Sequence, residues 1–130
     1  TNEVKNSAGT EVEFLRQSSS GRTLVFTQSG AQPNLEHLLT VSHSEVGVGQ
    51  AQRRRSLVRF DKEVAGVSGA TVTVSAYLVV DLPIGDSSTT AEFKNVLAEL
   101  LSLCSTTGAA TTVLFDCTGY GADALVNGTL

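Results

Sequence analysis

The 130-residue sequence contains no Met and no Trp, and aromatic residues make up only 5% of it. No apolar run approaches the roughly 18 residues that a membrane-spanning helix needs, and the first residues lack the pattern of a signal peptide. No membrane partner is therefore expected. Cysteine is nearly absent: Cys104 and Cys117 are the only two, without metal-ligand spacing. Basic residues are the minority, nine Lys and Arg against 13 Asp and Glu, for a formal net charge of −4. The chain is no polycation, so any contact with nucleic acid has to rest on a local patch. Catalytic signatures are missing too. There is no Gly-x-Ser-x-Gly elbow, and Gly47-Val48-Gly49 is not followed by the Lys and Ser or Thr of a phosphate loop. His37 and His43 share a strand face but have no third ligand at suitable spacing. Neither an enzyme nor a bound metal or cofactor is expected.

What is present is the composition of one globular domain, residues 1–130, with 41% hydrophobic residues and a mean hydropathy of +0.09. Thr1, a small residue that permits removal of an initiator Met, reads as a mature cytoplasmic terminus. The clearest pattern runs from Ala70 to Cys104. Between Thr71 and Leu82 the residues alternate: Val72, Val74, Ala76, Leu78, Val80 and Leu82 on one face, Thr71, Thr73, Ser75, Tyr77 and Asp81 on the other. Period-two alternation of this length marks an antiparallel strand covered on one side only. After Pro83-Ile84-Gly85-Asp86, the residues Phe93, Val96, Leu97, Leu100, Leu101 and Cys104 repeat at the spacing of a one-faced helix. Thr89 to Glu92 fits a capping box at its start, and Ser105 to Gly108 marks its end. Cys104 on the apolar stripe reads as a buried thiol; a Cys104–Cys117 bridge is neither required nor excluded.

Upstream, Glu11 to Leu15 and Arg22 to Phe26 read as hairpin strands around a turn at Ser18-Ser19-Ser20-Gly21, with an earlier strand at Glu3 to Lys5 turning through Ser7-Ala8-Gly9. Leu35 to Glu45 and Arg54 to Val64 are the next strands, linked by Val46 to Gln50. In the second, Val58, Phe60 and Val64 face one way and Arg55, Leu57, Arg59 and Asp61 the other, a parity that favours Arg55 over Arg54 for the polar face. The second of them turns through Ala65 to Gly69 into the long strand. The expected class is α+β: an N-terminal β-hairpin (1–30), an antiparallel meander (35–82), one C-terminal helix (89–104) on one face, and a tail (109–130). In that tail 112–116 reads as strand or short helix, and 119–130 as irregular. A helix of about 16 residues spans roughly 24 Å, too little to cover five strands. A second copy is the simplest cover, since most soluble oligomers are symmetric homodimers.

The order of these segments resembles the coat proteins of single-stranded RNA bacteriophages of the levivirus type. Gly30-Ala31-Gln32-Pro33-Asn34-Leu35-Glu36 leads into Leu39-Thr40-Val41-Ser42-His43-Ser44, as the family's Gly-Ala-x-Pro-x-Leu-Glu leads into Val-Thr-Val-Ser-x-Ser. A basic turn follows at Arg53-Arg54-Arg55, the long strand ends in Leu82-Pro83-Ile84, and the helix carries Val96-Leu97-Ala98-Glu99-Leu100-Leu101. The resemblance extends from about Gly30 to Cys104. Two departures stand out: the Ala65–Gly69 turn is short and Cys-free, where the family has a long loop near the symmetry axes, and the tail is longer and rich in Thr, Gly and Ala. Disulfides between dimers at that turn are therefore not expected.

The resemblance implies a structural capsid protein of the virion, assembled in the cytoplasm of a bacterial host. It would form homodimers through Phe93, Val96, Leu97, Leu100 and Leu101, close into an icosahedral shell and contact genomic RNA on its inner sheet face. Binding of an RNA hairpin as translational repressor, and a phage maturation protein as partner, belong to the same expectation. The implied RNA-contacting residues are Thr40, Ser42, Ser44, Arg55, Arg59, Ser75 and Tyr77, with the arginines on phosphate and Tyr77 stacking on a base. The residues alone also permit plainer readings. Arg53 to Arg55 can be a solvated turn that keeps a sheet edge soluble, and the hydroxyls can be ordinary solvent-facing strand residues. Asp61, Glu63 and Asp81 share the polar face and oppose phosphate. The alternative function is a β-rich module that binds a small ligand or protein on that face.

Overall fold

The computed structural model describes residues 4–86, 91–107 and 113–129. They fall into two compact units, one spanning 13–86 and the other formed by 4–12 together with the chain from 91 onward.

The first unit is one antiparallel sheet of five strands in the order β1 (Phe14–Ser20), β2 (Thr23–Gln28), β3 (His37–Val46), β4 (Arg53–Ala65) and β5 (Thr71–Pro83). Spatial order follows chain order, a meander that short turns impose when each strand pairs with the next. The expected N-terminal hairpin is part of this sheet, because β2 pairs with β3 from Thr23↔Ser42 to Thr27↔Leu38. The hairpin turn itself differs from expectation: Ser18 to Ser20 are strand, and only Gly21 and Arg22 turn. Gly21, at φ +55°, takes the left-handed backbone that a two-residue hairpin requires. That turn matches the strand twist, so it prevails over the turn preference of three serines. Likewise β1 begins at Phe14 rather than Glu11.

The pairings of β3 with β4 (His37↔Lys62 to Val46↔Arg53) and of β4 with β5 (Arg53↔Pro83 to Ala65↔Thr71) run without a break. Since side chains alternate, this register assigns every residue to a face. Leu39, Val41, Val58, Phe60, Leu78 and Val80 share one of them. Its centre is the tightest packing in the unit: Phe14 and Leu39 are buried, and the rings of Phe14, His37 and Phe60 meet edge to face or tilted, with centroids 5.0 to 6.4 Å apart. Toward β5 the packing thins, and Val72 and Val74 on the same face are exposed.

In the second unit, α1 (Ala91–Cys104) is followed by a two-residue ladder of β6 (Thr106–Thr107) with β7 (Val113–Leu114), then by α2 (Tyr120–Asn127). The segment expected to be irregular is thus a helix. Eight residues that include a glycine give too few turns for a sequence pattern, and packing on α1 supplies what propensity does not. Gly121 makes that approach: a Cβ there would lie 1.9 Å from the Leu103 carbonyl oxygen. Ala122 and Ala124 are buried beside it, as is Ser105, whose hydroxyl donates to the Leu101 carbonyl at 2.8 Å. Near the N-terminus Lys5 bridges Glu11 around a turn in which the Asn6 side chain accepts the N–H groups of Ala8 and Thr10, both at 3.0 Å. The capping threonine Thr89, like Thr1, lies outside the described residues. Cys104 is half-buried rather than buried, Cys117 is exposed, and both thiols are free.

Candidate nucleic-acid interface and assembly surfaces

The face of the sheet opposite Leu39 and Phe60 carries all seven expected RNA-contacting residues. Thr40 pairs with Arg59 and Ser44 with Arg55, while Ser42 pairs with Leu57. Across the next ladder Arg55 pairs with Asp81, Arg59 with Tyr77 and Asp61 with Ser75. Two rows, Ser44–Arg55–Asp81 and Thr40–Arg59–Tyr77, therefore cross strands β3, β4 and β5, with neighbours about 5 Å apart from strand to strand. Tyr77 is 68% exposed, a ring presented to solvent on an edge strand.

The sequence reading missed one member and one property. The strand starts at Arg53, one residue earlier than expected, and parity puts Arg53 on the same face as Arg55 and Arg59. The parity that singled out Arg55 over Arg54 would have found it. Arg54 faces the other way and pairs with Glu45 at 2.9 Å, beside Arg22 at 3.0 Å. Both histidines also lie on that opposite side. His37 shares its Nδ1 with Gln28 at 2.7 Å, and burial, with Lys62 nearby, lowers its pKa. His43 meets the Ser56 hydroxyl at 2.8 Å. The overlooked property is that Leu57, expected on this face beside Arg55 and Arg59, pairs with Val79 to form an apolar patch in its middle.

The arginines of this face are engaged with carboxylates. Arg53 donates to Asp81 at 2.8 Å and Arg55 to the other oxygen of the same carboxylate at 3.4 Å. Arg59 donates to both oxygens of Asp61, at 2.9 and 2.8 Å, and Asp61 also accepts the Ser75 hydroxyl. The hydrogen bond from Arg59, then that from Ser75, holds the Asp61 carboxyl below its usual range; Arg53 does the same first for Asp81. Arg59 is held correspondingly above the usual arginine value by Asp61. Among the described residues no group of three or more His, Cys, Asp or Glu is placed to hold a metal ion.

Two further surfaces are unpartnered among the described residues. On α1 the five stripe residues divide: Phe93 and Leu97 are half-buried, whereas Val96, Leu100 and Leu101 are exposed. On the sheet, β5 is the last strand, and its outer edge pairs with no described strand along its 13 residues.

No protein-family model matches the sequence, and no curated protein matches it. Solved structures do match. The coat protein of bacteriophage EMS014 superposes with a TM-score of 0.71 at 16% identity, covering 98% of this chain and 92% of its own. A virus-like particle of bacteriophage AVE015 gives 0.63 at 14% identity over 100% and 86% of the two chains. A virus-like particle of Wenzhou levi-like virus 4 gives 0.58 at 20% identity over 70% and 66%. The five-stranded meander followed by a C-terminal helix matches the fold of these phage coat and virus-like-particle proteins at 14–16% identity.

Proposed function

We propose that this chain is the shell-forming coat protein of a single-stranded RNA bacteriophage. The observation that carries the reading is the extent of the fold match, which takes in nearly the whole chain and nearly the whole EMS014 coat protein. The surfaces agree with it. A 13-residue edge strand in unbroken register is a template for another copy of itself, and two such edges joined about a two-fold axis make one continuous sheet. The exposed residues Val96, Leu100 and Leu101 supply the apolar area that an obligate dimer buries. Dimers then close into an icosahedral shell in the bacterial cytoplasm, with a maturation protein as a minority partner.

In this reading the face of Arg53, Arg55, Arg59 and Tyr77 lines the particle interior and contacts genomic RNA. Arginine forks suit phosphate, the hydroxyls of Thr40, Ser42, Ser44 and Ser75 suit base edges and sugars, and the exposed Tyr77 ring suits base stacking. Recognition of one hairpin, and with it translational repression, requires these groups to act on a single folded RNA.

Particle size tests the proposal. The expressed chain is expected to elute in the void volume of a size-exclusion column, to appear as uniform spheres in negative stain, and to release RNA on denaturation. Elution as a folded monomer or a simple dimer at high protein concentration overturns the capsid reading in favour of a β-rich binding module.

A further inference from the structure

Across β3, β4 and β5 the open face carries three arginines, Arg53, Arg55 and Arg59, against three carboxylates, Asp61, Glu63 and Asp81. Its formal charge is therefore balanced, which is unexpected for a surface that meets a polyanion. Two of the carboxylates, Asp61 and Asp81, occupy arginine donors that phosphate oxygens would use. Asp81 lies between two guanidinium groups, accepting Arg53 at 2.8 Å and Arg55 at 3.4 Å, and Asp61 holds Arg59 through both of its oxygens. Each contact uses a single guanidinium nitrogen, a donor that serves carboxylate and phosphate oxygens alike. The pairs stand in solvent, with arginine side chains 47–61% exposed, and exposed pairs of this kind are weak enough to be exchanged.

We propose that Asp61 and Asp81 are resident competitors for RNA phosphate: the free protein keeps its face arginines closed on its own carboxylates, and RNA binds by displacing them. This rests on the reading of that face as the RNA-contacting one. Two properties follow. Each displaced carboxylate takes up a cation from solution, offsetting a counterion that the phosphate releases, so wild-type binding depends on salt less steeply than the number of arginines would give. A displaced carboxylate also stands beside phosphate instead of arginine, which raises its proton affinity. RNA binding is then coupled to proton uptake, and affinity rises as the pH falls toward the ordinary aspartate value of 3.8. The other titratable groups on this face are Tyr77 and Glu63, whose carboxylate accepts the Glu36 N–H at 3.1 Å. His37 and His43 lie on the opposite face.

The test is binding of the full chain to polyuridylate, whose base does not titrate between pH 4.5 and 7.5, as a function of salt at both limits. Asp61→Asn and Asp81→Asn are each expected to tighten binding at pH 7.5 by about two- to fivefold, the range that an exposed ion pair implies. Each should steepen the log–log salt slope by about one unit. Wild type at pH 4.5 should move toward the doubly substituted protein, which itself changes little. Glu45→Gln makes the same change in net charge on the other face and should leave the slope unaltered; an equal gain there reduces the effect to bulk charge and overturns the proposal. Weaker or unchanged binding by the Asn variants, with Arg55→Ala/Arg59→Ala still flattening the slope, overturns the proposal while the RNA reading stands. If the arginine substitutions are also silent, the RNA reading falls and the proposal with it.

Discussion

The two edges of the sheet are built differently. β1 is seven residues long and loses its register between Arg16 and Ser18, so that its pairing with β2 is interrupted by a bulge. The Arg16 guanidinium then folds onto the Ser19 hydroxyl at 2.7 Å, placing charge on the rim. β5 runs 13 residues without a bulge, carries no Lys or Arg, and keeps its proline for the last position, Pro83. Bulges, short length and edge charge are how sheets avoid pairing with other chains. One edge is closed by these means and the other left open. The difference is what the proposed dimer needs: β1 carries the guards of a finished edge, and β5 carries none of them.

Breaking the open edge should have the largest effect. Val74→Lys puts a charge on the exposed apolar side of β5. An unpaired charge buried in a dimer interface costs about 3–5 kcal/mol, so particles should be lost and, the dimer being obligate in this proposal, the yield of folded protein should fall with them. Gln17→Lys, at the bulge of β1, should leave particle yield unchanged; equal damage at both edges would remove the distinction. Next comes the helix. Leu97→Ala is expected to destabilise the assembled form by about 2–5 kcal/mol, read as a drop in the melting temperature of particles and in dimer yield. A folded monomer of undiminished stability in dilute wild-type solution would contradict the obligate dimer.

Smaller effects belong to the open face. Tyr77→Ala should weaken RNA binding by roughly 1–3 kcal/mol through lost stacking, with little change in salt slope. Arg55→Ala should instead flatten the slope by about one unit for the lost phosphate contact, because Arg53 still holds Asp81. The smallest effect concerns the corner where Glu45 accepts Arg22 and Arg54. Those two hydrogen bonds lower the Glu45 pKa from the ordinary 4.5. A depressed carboxylate contributes its stability above the unfolded value and loses it as the pH falls through the folded one. Wild type should therefore lose stability on acidification below about pH 4.5 through this group, and Glu45→Gln should lack that component. Thermal melts of both proteins between pH 3 and 7 read the difference.

Much of the central sheet was legible because its register is written into parity. Alternation in Thr71–Leu82 and in Arg54–Val64 put Arg55, Arg59, Ser75 and Tyr77 on one face before any pairing was known, and the ladders place them there. Short elements were less legible. Ser18 to Ser20 look like a turn, and α2 is too brief to show a period. Arg53 escaped because strand ends are the least certain part of a periodic pattern.

By itself the sequence determined which residues share a face and where the long helix runs, since both follow from periods of 2.0 and 3.6 that hold locally along the backbone. Tertiary structure alone decided how those faces are used. Pairing brought Asp81 between Arg53 and Arg55, although it stands 28 and 26 residues away from them along the chain. It joined the N-terminal hairpin to β3, bulged one edge and left the other open. Such facts depend on which strands meet and in what register, and contacts between distant residues leave no periodic trace in a single chain.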